Sequence, residues 1–457
     1  MESPQTHPPM PSRRFVLLSC LAASMILLGC GPTPPFGSNR LMLKRVELES
    51  ETSMQGVERD LAVFLEETFG TPDVPRWPSF LAEGEFESLN HPEWLERAAG
   101  PVGRAHDKIE RGLYRKHCAH CHALNGDGAG PTAYFQNPYP RDFRRGTFKF
   151  KSTSFAAKPT WDDLVQTLDR GIVGTAMPSF RSLHAGHAEP GASATDDEVA
   201  ILVHYVRYLA IRGEAERRII LKAPSQLDLE KGERLWDTRL KDTDAQAFQQ
   251  QTEWLIQVCK DVARSWLDAP KKIIAVDSVE AEKYRFPQDF HDEKRESLIA
   301  SIERGKALFR SPTAACFQCH GKNGEGDGAI PDFDEWTKDW TIRAGIDPKD
   351  RKAWKAMKPY GALSPVRDFP RNLRLGVYRG GSDAESIYRR IVGGIEGSPM
   401  PPIPTKREHP TGMAENDLWD LVRFVQSLPY EEVDGILAAS SDSSSPVGAS
   451  PAKEVQP

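Results

Sequence analysis

The longest apolar run in the chain is Phe15-Val-Leu-Leu-Ser-Cys-Leu-Ala-Ala-Ser-Met-Ile-Leu-Leu28, directly behind Arg13 and Arg14. It is shorter than the stretch of about 20 residues that a bilayer-spanning helix needs, so it predicts an export signal (residues 1–29) rather than a membrane span. No later segment is apolar for long enough to cross a bilayer. Further along, apolar residues recur three and four apart. Leu202-Val-His-Tyr205-Val206 and Leu421-Val-Arg-Phe424-Val425 each predict a helix with one apolar face. The charged segment 213–293 adds amphipathic stretches around Leu229 to Leu240 and Phe248 to Trp266, and Cys259 shares a face with Leu255 and Ile256 as a buried thiol. Gly31-Pro-Thr-Pro-Pro-Phe-Gly-Ser-Asn39 has no periodic face and predicts a flexible tether. The Ser-, Ala- and Pro-rich residues 437–457 predict a disordered tail.

Composition narrows this picture. A chain of 457 residues calls for two to four domains. Its 36 Pro and 35 Gly imply long loops between modest helices. Lys and Arg number 59 against 65 Asp and Glu, a net charge of −6, which disfavours nucleic acid as a partner.

The seven cysteines are more informative by position than by number. Cys118-Ala-His-Cys121-His122 and Cys316-Phe-Gln-Cys319-His320 have the spacing of c-type haem attachment. Two thiols on one helical turn reach the two vinyl groups of a haem, and the adjacent His lies under the iron. Zinc knuckles or redox dithiols are the alternatives. Zinc would need four ligands, and no second pair lies close by; a dithiol has no use for the His. Features around both motifs repeat in the same order. Ile109-Glu-Arg-Gly112 answers Ile302-Glu-Arg-Gly305, Gly126, Gly128 and Gly130 answer Gly324, Gly326 and Gly328, and Pro131 answers Pro331. Arg141-Asp-Phe143 matches Arg367-Asp-Phe369, and Gly174-Thr-Ala-Met177-Pro178 matches Gly397-Ser-Pro-Met400-Pro401. Met177 and Met400 lie in Gly/Pro loops, where a core methionine is not expected; Met357 and Met413 have no counterpart in the first copy.

These features resemble class I cytochrome c domains. The resemblance implies an all-α fold of two tandem cytochrome c-like domains, residues 105–212 and 294–430, joined by a mostly helical connector, 213–293. Residues 30–104 form a tether and N-terminal extension, and 431–457 the tail. It further implies two covalently attached c-type haems, with thioethers from Cys118, Cys121, Cys316 and Cys319 and iron ligands His122 with Met177 and His320 with Met400. Leu27-Leu-Gly-Cys30 is similar to a bacterial lipobox, which implies lipidation at Cys30 and a chain anchored on the periplasmic side of a membrane. His117 and His120 are expected to face solvent, with His184, His187 and His204 the more credible switched ligands. Arg141, Arg144 and Arg145, with Arg367, Arg371 and Arg374, read either as solvated surface or as partners for haem propionates. His/Met ligation raises the potential and closes the iron to substrates. The expected function is single-electron transfer between redox protein partners, including those of a membrane respiratory complex; the rival is an enzyme resembling di-haem cytochrome c peroxidases.

Overall fold

The longest helix, Glu198–Gln226, starts where the Asp197 carboxylate accepts hydrogen bonds from the N–H groups of Val199 and Ala200, a cap that satisfies two otherwise orphaned donors. The computed structural model describes residues 35–100, 103–105, 108–183, 197–329 and 332–430. The export signal, Cys30, His184, His187 and the tail from 431 lie outside the described residues. The expected domain edge at 212/213 falls inside this helix, because Arg212-Gly213-Glu214-Ala215 contains nothing that must stop it. Gly213 weakens a helix by about 1 kcal/mol, but here it admits Arg144: a Cβ added to it would lie 2.7 Å from Arg144 Cα. Glu214, one residue on, pairs with Lys158 at 2.7 Å and Arg218 at 2.8 Å.

Around this helix pack Arg40–Ser50, Gln55–Phe69 and Pro92–Ala99 from the N-terminal extension and Ala245–Leu267 from the connector. Their apolar faces join one core with the first haem-motif segment, including Leu61, Phe64, Tyr205, Tyr208 and Cys259. Cys259 is wholly buried, at 0% exposure. The tether expected over 31–39 is already folded by Phe36. The Arg212 guanidinium lies 4.4 Å from the Phe36 ring centroid, and Asn39 N–H donates to Glu216 Oε1 at 2.7 Å. Composition rich in Pro and Gly does not keep an aromatic out of a core that has room for it.

One other expectation is corrected. Leu229 to Leu240 is a series of turns followed by the short helix Leu240–Thr243. Gly232 turns the chain at φ +77°, and Arg234 and Asp237 are committed to Asp60 and Arg239. Ahead of the first Cys pair the described residues between 103 and 117 form only short elements. Gly103–Ala105 and Lys108–Glu110 make an antiparallel hairpin, the one sheet among the described residues, followed by the short helix Leu113–His117. Pro92–Ala99, before the expected edge at 105, packs on the closing helix instead. The second copy keeps its opening helix, Arg295–Phe309, which crosses the closing helix Glu415–Ser427; Gly305 makes that crossing possible, since any Cβ there would collide with the Asp420 carbonyl.

The second copy also carries an insertion, Asp332 to Leu363, whose Trp340, Met357 and Ala362 form a small core with Leu41 of the N-terminal helix. A buried carboxylate holds the insertion down. Asp339, 4% exposed, accepts from Arg343 at 2.7 Å and Arg217 at 3.0 Å, with Arg45 at 3.5 Å. Burial pushes its pKa up, but the surrounding guanidinium groups outweigh this and hold it below the usual carboxylate value. Its stabilising contribution is therefore present above the unfolded carboxylate pKa and is lost as pH falls through the depressed folded value. Asp339→Asn leaves the largely buried Arg45 and Arg217 without their counter-charge and is expected to destabilise the fold by about 3 kcal/mol at neutral pH. Urea unfolding measures the loss, which should shrink as the solution is acidified.

Candidate functional site

Each Cys-x-x-Cys-His sits on one turn of helix, Ala119–His122 behind Cys118 and Cys316–His320. The chain then doubles back through alternating glycines. Gly128 N–H donates to His122 O at 3.2 Å and Gly130 N–H to Cys121 O at 3.0 Å; Gly326 to His320 at 2.8 Å and Gly328 to Cys319 at 3.2 Å repeat the pattern. A Cβ on Gly130 would stand 2.6 Å from His120 O, so only glycine fits.

The loop returns to place a carbonyl on each histidine. His122 Nδ1 lies 3.0 Å from Arg141 O, and His320 Nδ1 lies 3.1 Å from Arg371 O. A carbonyl only accepts, so Nδ1 carries the proton and Nε2 keeps its lone pair for a metal. Burial pushes the His122 pKa down to about 4 and lowers that of His320, which keeps both rings neutral. Phe143 stacks on His122 with centroids 4.6 Å apart.

This geometry corrects the internal alignment. Arg141-Asp142-Phe143 corresponds to Arg371-Asn372-Leu373, not to Arg367-Asp368-Phe369. Asp142 and Asn372 both cap a short 3-10 turn, Phe143 N–H donates to Gly126 O and Leu373 N–H to Gly324 O, and Gly146 and Gly376 end the two turns in left-handed conformation. The sequence match at Arg367 is misleading because the bond uses a main-chain carbonyl, which any residue supplies.

The methionine loops repeat equally closely. Ile172 N–H donates to Met177 O and Ile395 N–H to Met400 O, both at 3.1 Å. The Thr175 and Ser398 hydroxyls bridge back to Ile172 and Ile395. Before each loop stands an amphipathic helix, Trp161–Arg170 and Ala384–Gly393, which the sequence reading passed over. The Thr160–Asp163 capping box was the available signal.

Cys118, Cys121, His122 and Met177 line one cleft. His117 also lines it, half-buried, with Nε2 unpartnered, rather than facing solvent; His120 is exposed. His204 is fully buried among Trp77 and Trp94, not on the cleft. Met357 and Met413 lie in the packed cores of the insertion and the second copy. None of the four motif cysteines is paired in a disulfide, and no group of three or more His, Cys, Asp or Glu among the described residues is arranged as a zinc knuckle would need. Paired thiols, a neutral imidazole aimed by a carbonyl, and a thioether on the same cleft fit a covalently bound haem.

The cytochrome c family profile matches residues 111–210 and 302–429. The chain carries two tandem cytochrome c domains. Such a domain binds c-type haem covalently and works by electron transfer, so the chain is a haem electron-transfer protein. No curated protein matches it. Among solved structures, a chain of the reducing HAO-like protein complex of Kuenenia stuttgartiensis is similar at 19% identity and TM-score 0.39, covering 69% of this chain and 93% of that one. In the holoprotein unfolded by denaturant, peptide mapping after alkylation should find Cys259 labelled and Cys118, Cys121, Cys316 and Cys319 blocked by thioethers. Before unfolding Cys259 should stay unlabelled, since burial removes access and pushes its pKa up to about 12. Alkylation at the four motif cysteines would contradict covalent attachment.

Proposed function

We propose that this chain is a di-haem electron carrier, anchored through a lipidated Cys30 on the outer face of a bacterial membrane, which passes single electrons between redox protein partners. The observation that carries it is the duplicated site: both copies present the Cys-x-x-Cys-His turn, a carbonyl on the histidine Nδ1 and a methionine loop of matching hydrogen bonds. A c-type haem supplies a one-electron iron couple. His122 and His320 would hold the iron through a neutral Nε2, and Met177 and Met400 would supply a thioether. A thioether ligand would favour the ferrous state and occupy the position that peroxide would need, which suits electron transfer. Gly171 and Gly394 support this by letting the chain fold under the methionine: a Cβ on either would lie within 2.9 Å of Met177 O or Met400 O.

Met177→Ala and Met400→Ala test the assignment. Each is expected to lower the midpoint potential of one haem only and to let that haem bind carbon monoxide when reduced. Unchanged spectra and potentials in both variants would remove the methionines from the irons. For the anchor, Cys30→Ser should move the protein from the membrane to the soluble fraction; firm retention would count against lipidation.

A further inference from the structure

The two cytochrome c domains face each other, and their contacts obey a local twofold correspondence. A Cβ on Gly174, in the loop before Met177, would lie 3.3 Å from Val377 Cγ1 and 3.4 Å from Arg371 Nη2. Its counterpart Gly397, before Met400, stands in the same relation to Thr147 Cγ2 at 3.5 Å and Arg141 Nη1 at 3.6 Å. Arg141 and Arg371 are the residues whose carbonyls hold His122 and His320. Each domain thus sets its histidine-orienting arginine against the other domain's methionine loop. At the centre Gly380 meets Phe150, which occupies the equivalent position, and a Cβ there would lie 2.8 Å from the ring.

This seam is rich in cations. Arg379 crosses from the second domain, donates from Nη2 to Gly174 O at 3.2 Å and lines the cleft of Cys118, His122 and Met177. Lys149 crosses the other way to Asp368 at 3.1 Å, and Lys151 pairs with Glu396. The Nε atoms of Arg371 and Arg379 are buried without a hydrogen-bond partner among the described residues. Burial lowers the pKa values of Arg141, Lys149 and Arg379, so these charges are held out of water at a cost. The Arg379 guanidinium, with an idle Nε donor on the cleft of Cys118, His122 and Met177, suits a carboxylate of a tetrapyrrole.

We propose that the seam of Arg141, Lys149, Arg371 and Arg379 is a shared carboxylate site for the propionates of both haems, in which Arg379 of the second domain completes the first haem pocket. The inference rests on the di-haem reading above. Its consequence is redox coupling: each iron gains one electron from an external protein donor, and the negative charge gained by one is stabilised by the same cations that serve the other, so the second reduction is harder than the first.

The test is potentiometric titration of the full-length holoprotein and of Arg379→Ala and Arg379→Lys, with the first haem's wave assigned by its displacement in Met177→Ala. Arg379→Ala is expected to lower the ratio of reduced to oxidised first haem at a fixed potential by about tenfold, about 59 mV for one electron. The second wave should move less, and Arg379→Lys should recover most of the shift. A first wave that does not move in a variant with two haems, or a second wave that does not move at all, would overturn the shared site. One haem per wild-type chain would instead overturn the di-haem reading.

Discussion

Gly130 and Gly328 approach the backbone of their own Cys-x-x-Cys-His turns so closely that no side chain fits. A Cβ on either would stand 2.6 Å or less from the nearest carbonyl oxygen of its turn. That contact makes the chain reverse directly after the histidine. The reversal brings the carbonyls of Arg141 and Arg371 onto His122 and His320, and this fixes which imidazole nitrogen is free. The chemistry of both sites follows from a steric condition two or three residues wide, met twice in the chain.

Much of this was legible in the sequence because covalent chemistry dictates spacing. The two thiols, the histidine, the alternating glycines and the methionine loops stand where the repeat put them. What was not legible depends on groups that leave no residue signature. Arg367-Asp-Phe369 looks like Arg141-Asp-Phe143, yet the true counterpart is four residues on at Arg371, since the interaction is made by a peptide carbonyl. The insertion before Arg371 also breaks the register by which such a pair could be found. The expected domain edge at 212/213 falls inside the long helix Glu198–Gln226, where Gly213 admits Arg144, because close backbone approach to a distant residue has no local sequence signal. Phe36, in a Pro- and Gly-rich run, was assigned to a tether but is held by Tyr208 and Arg212.

The two copies share a site but not a setting. The first is wrapped by the N-terminal helices and the connector around one continuous core. The second has its own core and reaches back through its insertion, whose Asp339 joins Arg45 and Arg217 of the wrapped half. Buried charge and apolar contact together tie the domains into one body, with Gly174 and Gly397 in its central seam. Two cytochrome c domains held in a fixed relation suit the proposed electron transfer from one to the other; a flexible linker would not hold that relation.

The account depends on two haems per chain with methionine on both irons, and absorption spectroscopy of the purified holoprotein measures this directly. A pyridine haemochrome assay set against protein concentration, read beside the ferric band that reports a methionine sulfur on iron, is predicted to give two c-type haems and a band of the strength of two Met-ligated centres. A single haem per chain, or two haems with the band absent, would contradict it.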